Sequence, residues 1–233
     1  MGAKSRPFVS DVKRALRACG DPERAEDMRA YMKSEMPYRG VATPERRKAC
    51  KGIFARHPMA SFETWRDSAL ALWRGAEYRE ERYVAIALTG RREYAAYQTL
   101  KALPMYEEFV VDGAWWDYVD EVASQRLSLL LRKYPRAMPA RMRAWAKSKH
   151  LWKRRSAILC QLRFKGETDL ELLYDCIAPS LASGEFFLRK AIGWALRDLA
   201  WTNPSEVVRY VEQHSDILSG LSKREALKNV SGS

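Results

Sequence analysis

Apolar residues recur at helical spacing, three to four positions apart, through most of the 233-residue chain. Such spacing predicts amphipathic α-helices, whereas a half-buried strand would alternate with a period of two. We find no convincing period-two run joined by a hairpin turn. The pattern predicts an all-α fold with helices at residues 9–19, 22–34, 44–56, 61–73, 78–89, 91–102, 104–111, 115–133, 137–147, 151–163, 169–177, 185–202, 204–213 and 222–230.

Capping side chains mark several of the predicted helix starts. A short polar side chain caps the first turn, and it is often followed by proline at the first helical position or by glutamate three residues later. On this basis we predict N-caps at Asp21, Thr43, Ser61 and Ser222. The connections between helices are short, so neighbouring helices are expected to pack antiparallel.

Helical pairs follow one another every 35 to 40 residues or so, which is a spacing typical of HEAT-like repeats. Stacked repeats of this kind form a curved right-handed superhelix, a solenoid whose concave surface has a suitable shape for a duplex. An irregular helical bundle fits the same periodicity. No linker or low-complexity segment precedes the final Ser-Gly-Ser, so we predict a single domain over residues 1–233.

Charge is distributed unevenly along the chain, which carries a formal net charge of +12. A net charge this strongly positive favours a polyanionic partner. Nucleic acid is the leading interpretation, while an acidic protein, a membrane surface or solubility alone are alternatives. Between residues 122 and 166 there is no Asp or Glu, and the basic residues in that stretch are Arg126, Arg132, Lys133, Arg136, Arg141, Arg143, Lys147, Lys149, Lys153, Arg154, Arg155, Arg163 and Lys165.

Several classes of chemistry have no support in the sequence. The four cysteines lie far apart, and no histidine has a metal-ligand partner three or four residues away, so we expect no metal site. Common nucleotide and acyl-transfer motifs are missing, and no cofactor is expected. No stretch approaches 18 apolar residues, and no signal peptide is evident. We therefore expect a cytoplasmic protein that does not enter membranes, and we also expect a monomer.

Two neighbouring tryptophans begin the helix predicted from residue 115. Trp115 continues into Val119 and Val122, which form an apolar stripe. Trp116 instead shares a row with Asp120 at i+4, so an indole and a carboxylate lie side by side at the edge of that stripe. The alternative interpretation is a half-buried tryptophan beside an ordinary surface acid.

Arg155 occupies a position that the apolar stripe of its helix would otherwise fill, since Ile158, Leu159 and Leu162 follow at helical spacing. A guanidinium there needs a partner. The candidates are an anionic side chain such as Asp120, or a phosphate bound where Lys153 and Arg154 add charge. The sequence leaves a structural salt bridge and a phosphate clamp equally open.

A second tryptophan row lies on the helix predicted from residue 185. Lys190, Trp194 and Arg197 share a face at i, i+4 and i+7, away from the apolar stripe. Cations around an indole indicate a nucleic-acid face, because the cations bind phosphates while the ring packs on sugar or base. The alternative is a tryptophan covered by the aliphatic stems of basic residues.

Six motifs, found in order from residue 31 to residue 226, together resemble the AlkD family of alkylpurine DNA glycosylases. They are Tyr31-Met32-Lys33, Thr43-Pro44-Glu45-Arg46-Arg47, Trp115-Trp116-Asp117-Tyr118-Val119-Asp120, Arg155-Ser156-Ala157-Ile158-Leu159, Phe186-Phe187-Leu188-Arg189-Lys190-Ala191-Ile192-Gly193-Trp194 and Leu221-Ser222-Lys223-Arg224-Glu225-Ala226. The fold of that family is a curved stack of HEAT-like repeats, which agrees with the helical pattern.

The resemblance implies roles for individual residues. Trp116 and Trp194 would line the damaged nucleotide, Asp120 would be the catalytic carboxylate, and Arg155 would clamp the adjacent backbone. Tyr31 would complete the aromatic wall.

Further DNA contacts follow from the same resemblance and from the charge pattern. The helix that begins at Thr43, with Arg46 and Arg47, would contact the opposite strand. Other DNA-binding candidates are Lys153, Arg154, Lys190 and Arg197. Ala42 departs from the glutamine usual before Thr-Pro, which puts any groove-probing role of that residue in doubt.

The activity implied is hydrolysis of the N-glycosidic bond of cationic N3- or N7-alkylated purines in duplex DNA, as the first step of base excision repair in the bacterial cytoplasm. The resemblance also implies a monofunctional enzyme and a target base that stays stacked. The runner-up is a non-catalytic HEAT-like protein that recognises damaged or unusual DNA. A helical-repeat scaffold for an acidic partner protein is a third interpretation.

Overall fold

The computed structural model describes residues 5–230, whose regular secondary structure is entirely helical, with no strand. The all-α prediction is confirmed. The chain divides into two compact units, with the boundary between Gln98 and Thr99. The prediction of one domain over 1–233 stays a prediction, and its first four and last three residues lie outside those described. No helix among the described residues is long and apolar enough to cross a bilayer.

Over the described residues 5–98, the first unit holds five α-helices followed by a 3₁₀ segment, Arg92–Tyr97. Its apolar interior is built around large buried side chains, among them Phe8, Trp65 and Trp73. The helices are α1 (Ser5–Ala18), α2 (Pro22–Met32), α3 (Thr43–Arg56), α4 (Phe62–Arg74) and α5 (Arg79–Thr89).

A buried carboxylate organises the connection between α2 and α3. Glu80 is fully buried at the start of α5, and its oxygens accept hydrogen bonds from the backbone N–H groups of Arg39 and Val41 at 3.0–3.1 Å. Gly40 has a φ of +77°, and a Cβ there would lie 2.0 Å from the carbonyl oxygen of Asp21. Glycine and the carboxylate together fix this turn, which leads into α3.

The second unit is built around α12, whose apolar residues form one core with those of α10, α11 and α13. Short 3₁₀ turns stand at residues 100–102, 165–167, 178–180 and 227–229. The helices are α6 (Leu103–Gly113), α7 (Trp116–Glu121), α8 (Ser128–Lys133), α9 (Met138–Ala146), α10 (Leu151–Leu159), α11 (Leu170–Ile177), α12 (Phe186–Ala200), α13 (Pro204–Gln213) and α14 (Gly220–Ala226).

A π-helical segment over Val122–Leu127 joins α7 to α8 without a break. The long helix predicted from residue 115 to 133 is therefore confirmed, but its middle has i→i+5 geometry. Ser124 donates its hydroxyl to the carbonyl oxygen of Asp120 at 2.7 Å. Single π turns inside α-helices are found frequently at functional sites, and this one begins two residues after Asp120.

Two of the four predicted caps are correct. Asp21 accepts a hydrogen bond from the N–H of Arg24, and Ser61 accepts one from the N–H of Thr64. Thr43 is not a cap, because α3 begins at Thr43 itself and Ala42 stands at the N-cap. The Glu45 carboxylate accepts the N–H of Ala42 there.

Ser222 is also wrong as a cap, and Ser219 caps α14 three residues earlier. Ser222 is instead buried, and its hydroxyl donates to the carbonyl oxygen of Arg189 on α12 at 2.9 Å. The helix predicted over 91–102 is wrong as well, since that stretch forms two 3₁₀ segments. Tyr94 and Tyr97 bind the backbone N–H and carbonyl of Met59 through their hydroxyls, a long-range constraint that local periodicity does not carry.

Candidate functional site

Asp120 and Arg155 form a buried ion pair in the second unit. Arg155 donates from Nε to one oxygen of Asp120 and from Nη2 to the other, each at 2.7 Å. The side chains are 14% and 5% exposed for Asp120 and Arg155 respectively. This two-pronged geometry is the strongest arrangement open to an arginine and a carboxylate.

A backbone carbonyl also holds Arg155 in place. Nη1 donates to the carbonyl oxygen of Phe187 at 2.5 Å, in the first turn of α12. Arg155 on α10 thus joins α7 to the start of α12. Of the two partners that the sequence leaves open for Arg155, the structure shows the carboxylate of Asp120. A clamp on the DNA backbone stays a prediction, and a guanidinium engaged on three of its five N–H groups is better suited to orienting Asp120.

A cluster of three aromatic rings reaches Arg155 through Phe187. Trp115, Trp152 and Phe187 lie with ring centroids 4.9–5.9 Å apart, and they come from the N-cap of α7, from α10 and from α12. The ring of Phe187 lies 5.9 Å from the guanidinium carbon of Arg155. An apolar wall lowers the local polarity, so it strengthens the electrostatic influence of the carboxylate on any charge placed beside it.

Burial raises the pKa of the Asp120 carboxyl above its ordinary value. The hydrogen bonds and positive charge of Arg155 act against that rise, while the negative charge of Asp117 adds to it. Arg155 therefore favours the ionised carboxylate in a place where desolvation disfavours it. A carboxylate has about four acceptor positions, and Arg155 occupies two of them, which leaves acceptor capacity for a water or a sugar.

The two other predicted catalytic residues are half-buried tryptophans. Trp116 begins α7 one turn before Asp120, so both lie on one face of that helix. Trp194 lies on α12 and packs against the core of the second unit. Sequence reasoning selects these positions but misses Trp152 and the carbonyl group of Phe187, because neither has a polar or charged signal of its own.

The basic residues beside Trp194 are paired. Lys190 and Arg197 each donate to a different oxygen of Glu225 on α14 at 2.7 Å. Their convergence on one carboxylate confirms that they share a face of α12. Their role in binding DNA stays a prediction.

Lys153 and Arg154, at the start of α10, also have partners within the protein. Lys153 pairs with Glu107 at 2.6 Å, and Arg154 donates to the hydroxyl of Ser180 and the carbonyl oxygen of Pro179. Both cations are therefore engaged by groups of the protein, and their role in binding DNA stays a prediction. Of the basic residues between 122 and 166, six are exposed and have no carboxylate partner among residues 5–230, namely Arg136, Arg141, Lys147, Lys149, Arg163 and Lys165.

Four predicted DNA-binding residues lie in the first unit. Tyr31 is 77% exposed near the end of α2, and Arg47 is exposed on α3. Thr43 is exposed, and its hydroxyl oxygen accepts a hydrogen bond from Arg46 at 3.1 Å. The guanidinium carbon of Arg46 lies 4.6 Å from the ring centre of Tyr83, and burial lowers the pKa of Arg46.

No group of three His, Cys, Asp or Glu side chains within the described part of the chain is placed to hold a metal ion. A family model described as DNA alkylation repair enzyme matches residues 12–230. The chain belongs to the DNA alkylation repair enzyme family. Membership assigns it a role in DNA alkylation repair, and the matched span contains Asp120, Arg155 and both tryptophans.

Another protein of similar description has the same fold. A solved structure described as a predicted DNA alkylation repair enzyme from Enterococcus faecalis has a TM-score of 0.81 and 29% sequence identity. The alignment covers 92% of this chain and 98% of that one. No curated protein matches the chain.

Proposed function

We propose that this protein is a monofunctional DNA glycosylase that releases cationic N3- or N7-alkylated purines from duplex DNA. The observation that carries the proposal is the Asp120–Arg155 pair, which holds a carboxylate in an aromatic setting beside Trp116. Membership of the DNA alkylation repair enzyme family supports the substrate class.

The chemistry of a cationic lesion matches this set of residues. Alkylation at N3 or N7 gives the purine a positive charge, so the base leaves as a neutral molecule without a general acid. The remaining barrier is the positive charge that develops on the sugar as the C1′–N bond breaks. A fixed carboxylate such as that of Asp120 stabilises this oxocarbenium ion and orients the water that adds to it.

The tryptophans complete the proposed site. The face of an indole is electron-rich and attracts cations, so Trp116 and Trp194 would contact the charged nucleotide and its polarised sugar. In this mechanism the base stays stacked, and the protein acts on the sugar and backbone from outside the helix. Water attacks the sugar, and no lysine takes part as a nucleophile, so the product is an intact abasic strand.

The test uses two matched duplexes. One carries a single N7-methylguanine and the other carries its neutral 7-deaza-7-methyl isostere, which lacks the charge that makes the base a leaving group. We expect release of the cationic base under single-turnover conditions at a rate well above that of the enzyme-free duplex. The isostere should be bound without release, and strand breakage should require added alkali.

A non-catalytic role would give a different result. Binding of both duplexes with base release at the enzyme-free rate would contradict the glycosylase assignment and support the runner-up, a damage-recognising DNA-binding protein. A third duplex with a bulkier N3-alkyladenine lesion tests the unflipped mechanism. If the enzyme accepts the small adduct but rejects the bulky one, a closed base pocket replaces the open site proposed here.

A further inference from the structure

Glu225 on α14 lies between two basic residues of α12. Its two carboxylate oxygens accept one hydrogen bond each from Lys190 and Arg197, both at 2.7 Å. The hydrogen bond from Lys190, with the positive charges of Lys190 and Arg197, lowers the pKa of the Glu225 carboxyl. The side chain of Glu225 is 17% exposed, whereas Lys190 and Arg197 are 42% and 26% exposed. The acid is thus the inner partner, and the cations reach outward from it.

Close packing of α14 on α12 fixes the position of this carboxylate. A Cβ at Gly193 would lie 2.5 Å from the Cβ of Glu225 and 3.0 Å from the carbonyl oxygen of Ser222. Only glycine permits the two helices to approach this closely. Ser222 is hydrogen-bonded to the carbonyl oxygen of Arg189, which ties the same turn of α14 to α12.

The two cations keep most of their hydrogen-bonding capacity. An ammonium carries three N–H donors and a guanidinium five, and Glu225 accepts one from each cation. The remaining donors of Lys190 and Arg197 have no acceptor among residues 5–230. Glu225 therefore restricts the motion of both side chains without filling their capacity, and it does so on both sides of Trp194 along α12.

We propose that Glu225 is a positioning residue that holds Lys190 and Arg197 in place for the phosphates next to the nucleotide at Trp194. This inference rests on the proposed function, because it concerns the same DNA-binding face. Two side chains that are already ordered lose less conformational entropy when a phosphate binds. The opposite role is that of a competitor, in which Glu225 must release the cations before DNA can bind.

The two roles predict opposite signs for Glu225→Gln. The substitution removes a negative charge from a basic protein, so non-specific electrostatics alone would tighten DNA binding. If Glu225 positions the cations, binding of the 7-deaza-7-methylguanine duplex weakens instead, by about five- to tenfold. The slope of log affinity against log salt also becomes shallower, by up to about two units, since each lost phosphate contact contributes about 0.9.

Glu212→Gln is the matched control. Glu212 is exposed on α13, and the substitution changes the net charge by the same amount. It should leave DNA affinity unchanged or slightly improved. A Lys190→Gln/Glu225→Gln double variant tests whether Glu225 acts through Lys190. If it does, the losses of DNA affinity from the two substitutions should be less than additive.

Melting temperatures of all variants separate positioning from folding. Tighter binding and a steeper salt slope in Glu225→Gln would show that Glu225 is a competitor, and the proposal would be wrong. A lower melting temperature with unchanged affinity per folded molecule would make Glu225 purely structural and would also overturn it. Because the isostere duplex lacks a cationic leaving base, its affinity can be measured without base release, and release from the N7-methylguanine duplex tests the glycosylase proposal separately.

Discussion

Arg155 donates one hydrogen bond to each oxygen of Asp120, and both side chains are largely buried. Neither member of such a pair can be changed alone without leaving the other in an apolar setting. Removing one partner of a buried ion pair typically costs about 3–5 kcal/mol of stability. Substitutions at these two positions therefore need to be assessed for catalysis and for folding separately.

Asp120→Asn should slow base release by about 10²–10³-fold, since the amide keeps the shape of the side chain but loses the charge that faces the oxocarbenium ion. Stability should also fall, because the amide nitrogen faces an N–H group of Arg155. The measurement is single-turnover release of N7-methylguanine, corrected for the folded fraction and for spontaneous depurination.

Asp117→Asn serves as the control for Asp120→Asn. It lies on the same helix, and its charge contributes to the raised pKa of Asp120. This variant should retain most of the rate. Excision at the wild-type rate by Asp120→Asn would contradict the mechanism, whereas equal losses at both positions would indicate a folding defect.

Arg155→Met should move the acid limb of the pH–rate profile to higher pH. The rate requires ionised Asp120, so it falls as pH decreases through the pKa of that group. Burial already raises this pKa above the ordinary value for aspartate, and loss of Arg155 removes the cation that opposes the rise. The profile is measured by single-turnover base release. The series starts at about pH 4, which is close to the ordinary pKa of aspartate.

Arg154→Met is the matched control for that experiment. Arg154 is the neighbouring arginine on α10, and its hydrogen bonds go to Ser180 and Pro179 rather than to Asp120. Its profile should follow the wild type. An Arg155→Met profile identical to wild type, combined with weaker binding of duplex DNA, would favour the backbone clamp over the orienting role.

Binding of undamaged duplex should depend steeply on salt. Six exposed cations between residues 122 and 166 have no carboxylate partner in the described part of the chain, so they are available to replace counterions on DNA. Each phosphate contact contributes about 0.9 to the log–log slope. We expect a slope of several units by fluorescence anisotropy. An Arg141→Gln/Lys147→Gln double variant should reduce it. Salt-independent binding would argue against a polyanionic partner.

Gly193→Ala should destabilise the protein by about 1–3 kcal/mol, since the added methyl group would overlap with Glu225 and the backbone of Ser222. Gly52→Ala on α3 is the control, because its Cβ would meet only the guanidinium of Arg56 at 3.4 Å. Alanine favours helix over glycine by about 1 kcal/mol, so this control should be slightly more stable. Urea denaturation measures both, and a stabilised Gly193→Ala would contradict the close packing of α14.

Local sequence signals predict the helices of this fold well where the apolar stripe and the caps agree. They fail where a distant residue decides the structure. Tyr94 and Tyr97 bind the backbone of Met59, some 35 residues earlier in the chain, and hold their segment in 3₁₀ turns. Ser222 has the spacing of a cap, but burial against Arg189 gives its hydroxyl another partner.

In the candidate site, too, local sequence identifies individual residues, whereas their contacts depend on residues distant in the chain. Asp120 and Arg155 attract attention in the sequence because one stands at the edge of an apolar stripe and the other within one. That they bind each other, 35 residues apart, is a property of the tertiary structure. The sequence suggests that Lys190 and Arg197 are phosphate ligands on one helix. Their common partner in the structure, Glu225, lies on a different helix, so the sequence of α12 alone does not reveal it.

The π-helical segment after Asp120 has a consequence for how relatives should align. A π turn accommodates one more residue than an α turn, so it acts as a single-residue insertion within a continuous helix. Deleting one residue between Val122 and Leu127 should therefore restore α geometry and leave the apolar face of α8 directed toward its core. A deletion in a regular α-helical turn would instead rotate every following side chain by about 100°. Homologues that lack the inserted residue should therefore align with a one-residue gap before Ser128 and keep the same apolar stripe after it.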